Sequence, residues 1–338
     1  MKKISNLIHT IKYDLRLSQP WNYKFPLILS FAYLGLHINK INIMQSTIFL
    51  IAYLMCMIGV ATFAYLINDF FDKKIDESSN KINIFRKINS KYFIPLIIIS
   101  LFIIISPWRI LPGDIISFIL LSLLLILFII YSAPVTRLKN KGIGGIILDA
   151  LYAYGLSSLL TLYTFIIMLN SINNPDYFIL YIIFIWQFLI GIRSIIFHQI
   201  TDYKNDLEFN RTWTVKVGIK KSKKLIKIYL LPFEFIMLLG SLIIISQYFI
   251  LIIPFSILFW INVLLKYKNY YKHPEKIDFK QFIYTFLDDY YYQCFPVLIL
   301  IFMSTTNPNY ILLLLIHLLL FKNIIFNYLR YLKIYIVK

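Results

Sequence analysis

The stretch "NDFFDKKID", residues 68–76, closes a run that carries no charge, "STIFLIAYLMCMIGVATFAYLI", residues 46–67. At about 1.5 Å per residue that run is long enough to cross a hydrocarbon core of about 30 Å. Carboxylates at the end of such a span are costly and mark function by default. At about 100° per residue, Asn68, Asp72 and Asp76 fall at about 0°, 40° and 80°, and Asp69 at about 100°. All four therefore share one face. Carboxylates so close repel unless a cation sits among them, and an oxygen-only ligand set selects a hard ion. Mg²⁺ fits best, because it keeps several waters and shares its remaining sites with phosphate oxygens.

A second cluster stands in "HQITDYKNDLEFNRTWTVKVG", residues 198–218, where His198, Asp202 and Asp206 repeat the i, i+4, i+8 arrangement. Two acidic stripes on one side of a membrane could hold two or more Mg²⁺ ions with a diphosphate between them. Between the clusters lies "YSAPVTRLKNKGIGG", residues 131–145. There Arg137 and Lys139 can reach phosphate oxygens, the Arg with a two-pronged bond and the Lys as a point charge. Tyr131 and Ser132 add hydroxyls, and Pro134 ends the helix.

The rest of the chain supplies the setting. It has 338 residues, 59% of them hydrophobic, with a mean hydropathy of +0.73. Apolar runs recur at about 20–40, 45–71, 91–110, 113–133, 143–169, 177–200, 224–246, 248–266, 289–305 and 310–331. The expectation is an all-α, polytopic membrane bundle of nine or ten transmembrane helices around a central cavity open to the cytoplasmic side. Residues 1–338 form a single domain in this reading. Ile4, Leu7, Ile8, Ile11 and Leu15 recur at helical spacing among Lys2, Lys3, Lys12 and Arg16, so residues 1–19 read as an amphipathic helix lying on the membrane surface.

The formal charge is +18, but its placement argues for topology and against nucleic acid. Of the basic residues in loops, Lys40 and Arg109 alone fall in the odd-numbered ones. By the positive-inside rule the even loops and both termini are cytoplasmic, which points to the inner or plasma membrane of a cell. A basic face there suits anionic lipid and an anionic substrate. Cys56 and Cys294 have no CxxC neighbour and imply no disulfide framework. Asp149, inside the fifth span, can orient an acceptor, remove its proton, or pair with Arg193; Asp288 and Asp289 sit at an interface among tyrosines, and Glu234 has no partner that the sequence suggests.

With these segments in order, the chain resembles the UbiA superfamily of intramembrane prenyltransferases. "NDFFDKKID" fits that family's NDxxDxxxD motif, "DYKND" its DxxxD motif, and "YSAPVTRLK" its tyrosine-serine-arginine-lysine loop. The resemblance implies that Asn68, Asp69, Asp72, Asp76, Asp202 and Asp206 bind Mg²⁺ and the diphosphate of an isoprenoid donor, and that Asp69, Asp72, Asp202 and Asp206 are catalytic. Arg137 and Lys139 would hold phosphate, joined by Arg86 and Lys204. Tyr131, Ser132, His198 and Asp149 would face the acceptor, and Trp21 and Lys24 would border the site. Lys87 stands where the family usually has Pro, and Asn210 where Gly is usual. The implied function is Mg²⁺-dependent transfer of a prenyl group from its diphosphate to a small acceptor, such as an aromatic quinone precursor. A terpene cyclase using the same diphosphate site is the alternative, and a multi-span transporter or scaffold is a third reading.

Overall fold

The computed structural model describes residues 16–78, 81–167, 177–209, 211–270, 282–323 and 326. Residues 1–15, which carry most of the expected surface helix, lie outside the described residues. The described elements are helical throughout, with no strand among them. In chain order the main ones are α1 (Phe25–Ile38), α2 (Ile43–Ser78), α3 (Ser90–Arg109), α4 (Ile115–Ser132), α5 (Ile143–Ile166) and α6 (Tyr177–Thr201). They continue with α7 (Tyr203–Phe209), α8 (Ile219–Ser246), α9 (Ile252–Tyr270), α10 (Phe295–Thr306) and α11 (Ile311–Leu320).

Among the described residues, α2, α3, α4, α5, α6 and α8 are long and apolar enough to cross a membrane, and three shorter apolar helices accompany them at Phe25–Ile38, Ile252–Leu265 and Pro308–Leu320. Several ends differ from those expected. The span read as 45–71 runs on to Ser78, because nothing in "NDFFDKKIDES" breaks a helix. At 36 residues α2 is about 54 Å long, well beyond a hydrocarbon core of about 30 Å. Asn68 stands about 38 Å from its start, so the acidic face is carried out to the interface on rigid helix. The span read as 289–305 is entered through two π-helical turns, Tyr284–Asp288 and Tyr290–Cys294.

The chain forms two compact units, one built from residues 51–241 with residues 16–18, the other from residues 19–50 and from 242 onward. In the first, α5 and α6 are mostly buried, whereas α3 and α4 present exposed Ile, Leu and Phe along their length, as lipid-facing helices do. Close approach of α5 to α6 is made at Gly191. A Cβ there would meet Ala150 Cα at 2.8 Å, so the small residue is used for backbone contact. The Tyr53 and Thr161 hydroxyls share a hydrogen bond of 2.7 Å between α2 and α5. At the start of α4, Asp114 accepts from Ser117 N–H at 2.9 Å and from the Tyr163 hydroxyl at 2.6 Å.

Glu234, for which the sequence suggests no partner, receives both arms of Arg193. The guanidinium Nε donates to Oε2 at 2.6 Å and Nη2 to Oε1 at 3.0 Å, with both side chains at most 1% exposed. The pair joins α6 to α8 inside the apolar layer, where each charge needs a close opposite one.

In the second unit α1 is buried from Phe25 to Leu36. It packs on α10 through Phe31 and Phe295, whose rings meet edge to face at 6.3 Å. Tyr33 and His317 share a hydrogen bond of 2.9 Å. The Trp21 indole N–H, placed at the site's border by the resemblance, donates to the Leu320 carbonyl at 3.1 Å within this unit.

Candidate functional site: an acidic face filled with cations

The first acidic segment keeps its helical face in the structure. Asp69, Asp72 and Asp76 are buried and Asn68 half-buried. Each aspartate has partners. Asp69, sealed from solvent, takes the Arg16 guanidinium on one oxygen and the Ile84 N–H, at 2.9 Å, on the other. Arg16 also lies over the Tyr65 ring, 4.9 Å from its centroid. Asp72 takes Arg137 Nη2 at 3.1 Å and the Lys139 ammonium. Asp76 accepts from Asn83 Nδ2 at 2.8 Å.

The loop after α4 delivers its two cations through a constrained backbone. Pro134 ends the helix, and Arg137 then adopts a left-handed conformation, φ 34° and ψ 51°, which costs a non-glycine residue about 1–2 kcal/mol. The turn at Leu138–Asn140 lies directly on the first turn of α5. A Cβ at Gly145 would meet the Leu138 carbonyl oxygen at 2.7 Å, so glycine is required for Lys139 to stand where it does. Burial pushes the Lys139 ammonium below its ordinary pKa, and Asp72 opposes that shift. Ser132 approaches Asn68 with a long contact of 3.5 Å.

The second acidic segment is tied to the first by Lys81. Its ammonium donates to Asp202 Oδ2 at 2.9 Å, across 121 positions of sequence, and also feels Asp206 and Asp76. Burial lowers the Lys81 pKa, but the hydrogen bond and charge of Asp202, with the other two carboxylates, outweigh it and leave the group raised. Asp202 is partly exposed and Asp206 buried. Asp202 stands at the bend between α6 and α7 and Asp206 on α7, and Gln199 of α6 ties the chain that follows by accepting from Thr214 N–H at 3.1 Å.

A chain of phenols leads from these carboxylates into the apolar layer. Tyr131 lies within electrostatic reach of Asp72, Asp206 and Asp149 and stands beside Tyr152. Tyr152 in turn donates to Asp149 Oδ1 at 2.5 Å. A π-helical turn at Leu151–Gly155 carries both Tyr152 and Tyr154, and Tyr154 donates to Ser194 on α6 at 3.1 Å. The Tyr152 ring packs on Phe128 at 4.2 Å and edge-on to Tyr131 at 5.3 Å.

Other residues singled out from the sequence stand apart from this network. Arg86 is exposed, and its Nη1 donates to the Lys81 carbonyl at 3.1 Å, bracing the loop from behind. Lys204 and His198 are exposed. Sequence reasoning missed Arg16, Lys81 and Asn83. Arg16 and Lys81 are single basic residues among many, and only the folded chain brings them onto carboxylates 53 and 121 positions away.

The donor set suits a hard cation, being entirely oxygen. Among the described residues no three His, Cys, Asp or Glu side chains form a ready-made metal cage. Mg²⁺ seldom uses one, taking one or two carboxylates and completing its shell with water and phosphate. Asp72 and Asp202, each bonded to cations that are themselves partly exposed, fit that use, while Asp69 also holds the loop through the Ile84 N–H.

Long apolar helices that bring two aspartate segments and a cationic loop together at their ends define a polytopic membrane protein with an acidic, cation-paired site. The chain matches the UbiA prenyltransferase family over residues 28–287, and it belongs to that family. It is an integral, multi-pass membrane protein. Its fold is similar to that of a UbiA homolog from Archaeoglobus fulgidus bound to GPP and Mg²⁺, at 15% identity and a TM-score of 0.55 over 86% of this chain and 99% of the other. The same homolog bound to DMAPP and Mg²⁺ gives 16% identity and a TM-score of 0.56 over the same shares. A further structure of that homolog gives 14% and 0.52, over 86% and 98%. No curated protein matches the chain.

Proposed function

We propose that the protein is an Mg²⁺-dependent prenyltransferase that moves an isoprenoid group from a prenyl diphosphate to a small acceptor at the cytoplasmic face of the cell membrane, with both termini on that side. The observation that carries the reading is the Lys81–Asp202 bond. It joins two aspartate segments from distant parts of the chain, with Arg137 and Lys139 already on Asp72. The two donor complexes of the Archaeoglobus homolog agree with it.

In this mechanism Asp72, Asp76, Asp202, Asp206 and Asn68 would hold Mg²⁺, which when bound offsets the charge growing on the leaving diphosphate. Arg137 and Lys139 turn from Asp72 to phosphate oxygens and stabilise the same charge. The allylic C–O bond breaks, and the π faces of Tyr131, Tyr152 and Phe128 stabilise the carbocation beside them. The acceptor's nucleophilic atom forms the new bond to carbon. Its proton passes to the Tyr131 oxygen as the Tyr131 proton passes to Tyr152, whose own proton goes to Asp149 Oδ1. Ser132, beside Asn68, would meet the acceptor's polar end.

The test is incubation of the purified protein with Mg²⁺, prenyl diphosphates of several lengths and a panel of phenolic and hydroxyl acceptors, with mass detection of products. A prenylated acceptor that disappears in Asp72→Asn and Asp202→Asn is the expected result, each loss being at least about 100-fold, as for removal of a principal electrostatic group. A cyclised hydrocarbon formed from donor alone would make the protein a cyclase. Diphosphate release unaffected by either substitution would remove the site from the chemistry altogether.

A further inference from the structure

The loop of residues 81–86 touches both aspartate segments, although the transfer reaction as set out above uses no residue of it. Its middle is clamped. Asn83, 3% exposed, donates to the Asp69 carbonyl at 2.7 Å and to Asp76 Oδ2 at 2.8 Å, and its own oxygen accepts the Phe85 N–H at 2.9 Å. Ile84 N–H is bound to Asp69, and the buried Phe85 packs with Leu66, Phe70 and Phe93. Lys81 stands at the free edge of this clamp, its side chain 35% exposed and that of its partner Asp202 25% exposed. An ion pair that open to water contributes little net stability, so it is held in place and yet exchanged at small cost.

We propose that Lys81, positioned by Asn83, is an exchangeable counter-ion that leaves Asp202 for a phosphate oxygen when a metal-bound diphosphate arrives. The inference rests on the diphosphate reading of the site given above. Charge makes the exchange necessary. The carboxylates of Asp69, Asp72, Asp76, Asp202 and Asp206 stand against Arg16, Lys81, Arg137 and Lys139, one negative charge from balance. A divalent cation entering alone must expel Lys81 into water and meets an almost neutral cluster. A cation that brings diphosphate supplies acceptor oxygens for the displaced ammonium, and Asp202 becomes a ligand. Metal and diphosphate therefore bind with positive coupling, and the coupling is reciprocal.

The experiment uses the full chain in detergent, with Mn²⁺ as the metal probe followed by electron paramagnetic resonance and radiolabelled inorganic diphosphate as the anion. In the wild type, diphosphate binding strengthens at least tenfold in the presence of Mn²⁺, while Mn²⁺ alone binds weakly. In Lys81→Gln, Mn²⁺ alone binds about three- to tenfold more tightly, and its effect on diphosphate falls at least fivefold. Lys81→Arg restores most of the coupling. Asn83→Ala, with Lys81 intact, reproduces the loss of coupling, which a merely destabilised loop would not do while metal affinity rose. Unchanged affinities in Lys81→Gln, or weaker binding of Mn²⁺ alone, overturn the proposal and leave the diphosphate reading standing. Failure of the wild type to bind diphosphate with Mn²⁺ present overturns that reading and this inference with it.

Discussion

Replacing Arg193 by Met would leave the Glu234 carboxylate inside the apolar layer without its guanidinium. Two charge-assisted bonds, of 2.6 and 3.0 Å, are lost together. Neither group has water to fall back on, since the side chains are 1% and 0% exposed. Removing one member of such a pair costs about 3–5 kcal/mol, most of it from the charge left behind and not from the bond itself. Replacing both members by apolar residues of similar volume removes the desolvation cost along with the bond, and such exchanges are often neutral or stabilising. A marked non-additivity is therefore expected. Arg193→Met and Glu234→Leu each destabilise by about 3 kcal/mol or more, while the double variant lies within about 1 kcal/mol of the wild type. Reversible SDS unfolding of the four proteins, followed by circular dichroism, measures the cycle. Single variants costing under about 1 kcal/mol, or a double variant as damaged as the sum of the two, would refute it.

Three further outcomes are expected. Asp149→Asn and Tyr152→Phe each slow product formation by about 10- to 100-fold, as loss of a proton acceptor does, with donor affinity kept within twofold; equal losses in donor binding would show that Tyr152 only shapes the site. Gly191→Leu forces α6 away from Ala150, where a Cβ alone already meets Cα at 2.8 Å, and lowers stability by about 1–3 kcal/mol, read as a drop in the unfolding midpoint. Gly145→Ala displaces the Leu138–Asn140 turn, so that Lys139 no longer reaches Asp72; diphosphate affinity falls about tenfold with overall stability little changed, and an unaltered affinity would separate that turn from the site.

How far the sequence can be read depends on the distance over which each interaction acts. The face shared by Asn68, Asp72 and Asp76 follows from one helical turn repeated, and the structure keeps it, as it keeps the apolar spans. The end of α4 at Ser132 follows from Pro134, which cannot continue a helix. Arg137 and Lys139 were legible through the resemblance of "YSAPVTRLK" to the family's loop, since basic residues at a cytoplasmic helix end otherwise serve topology. Glu234 was not legible, since its partner lies 41 positions away on another helix. Arg86 and Lys81 show the difference within one loop. Both are basic, and the family resemblance favoured Arg86, yet the clamp at Asn83 turns Lys81 toward Asp202 and Arg86 back onto the Lys81 carbonyl.

The sequence by itself determined that this chain enters a membrane, which residues line each helix face, and that two acid-rich segments stand at the ends of apolar helices, because hydropathy and helical periodicity act between neighbours. Which cation neutralises which carboxylate was decided by the folded bundle alone. An ammonium or guanidinium on a long flexible stem pairs with whatever charge the packing of distant helices brings within about 4 Å, and no local pattern encodes that choice.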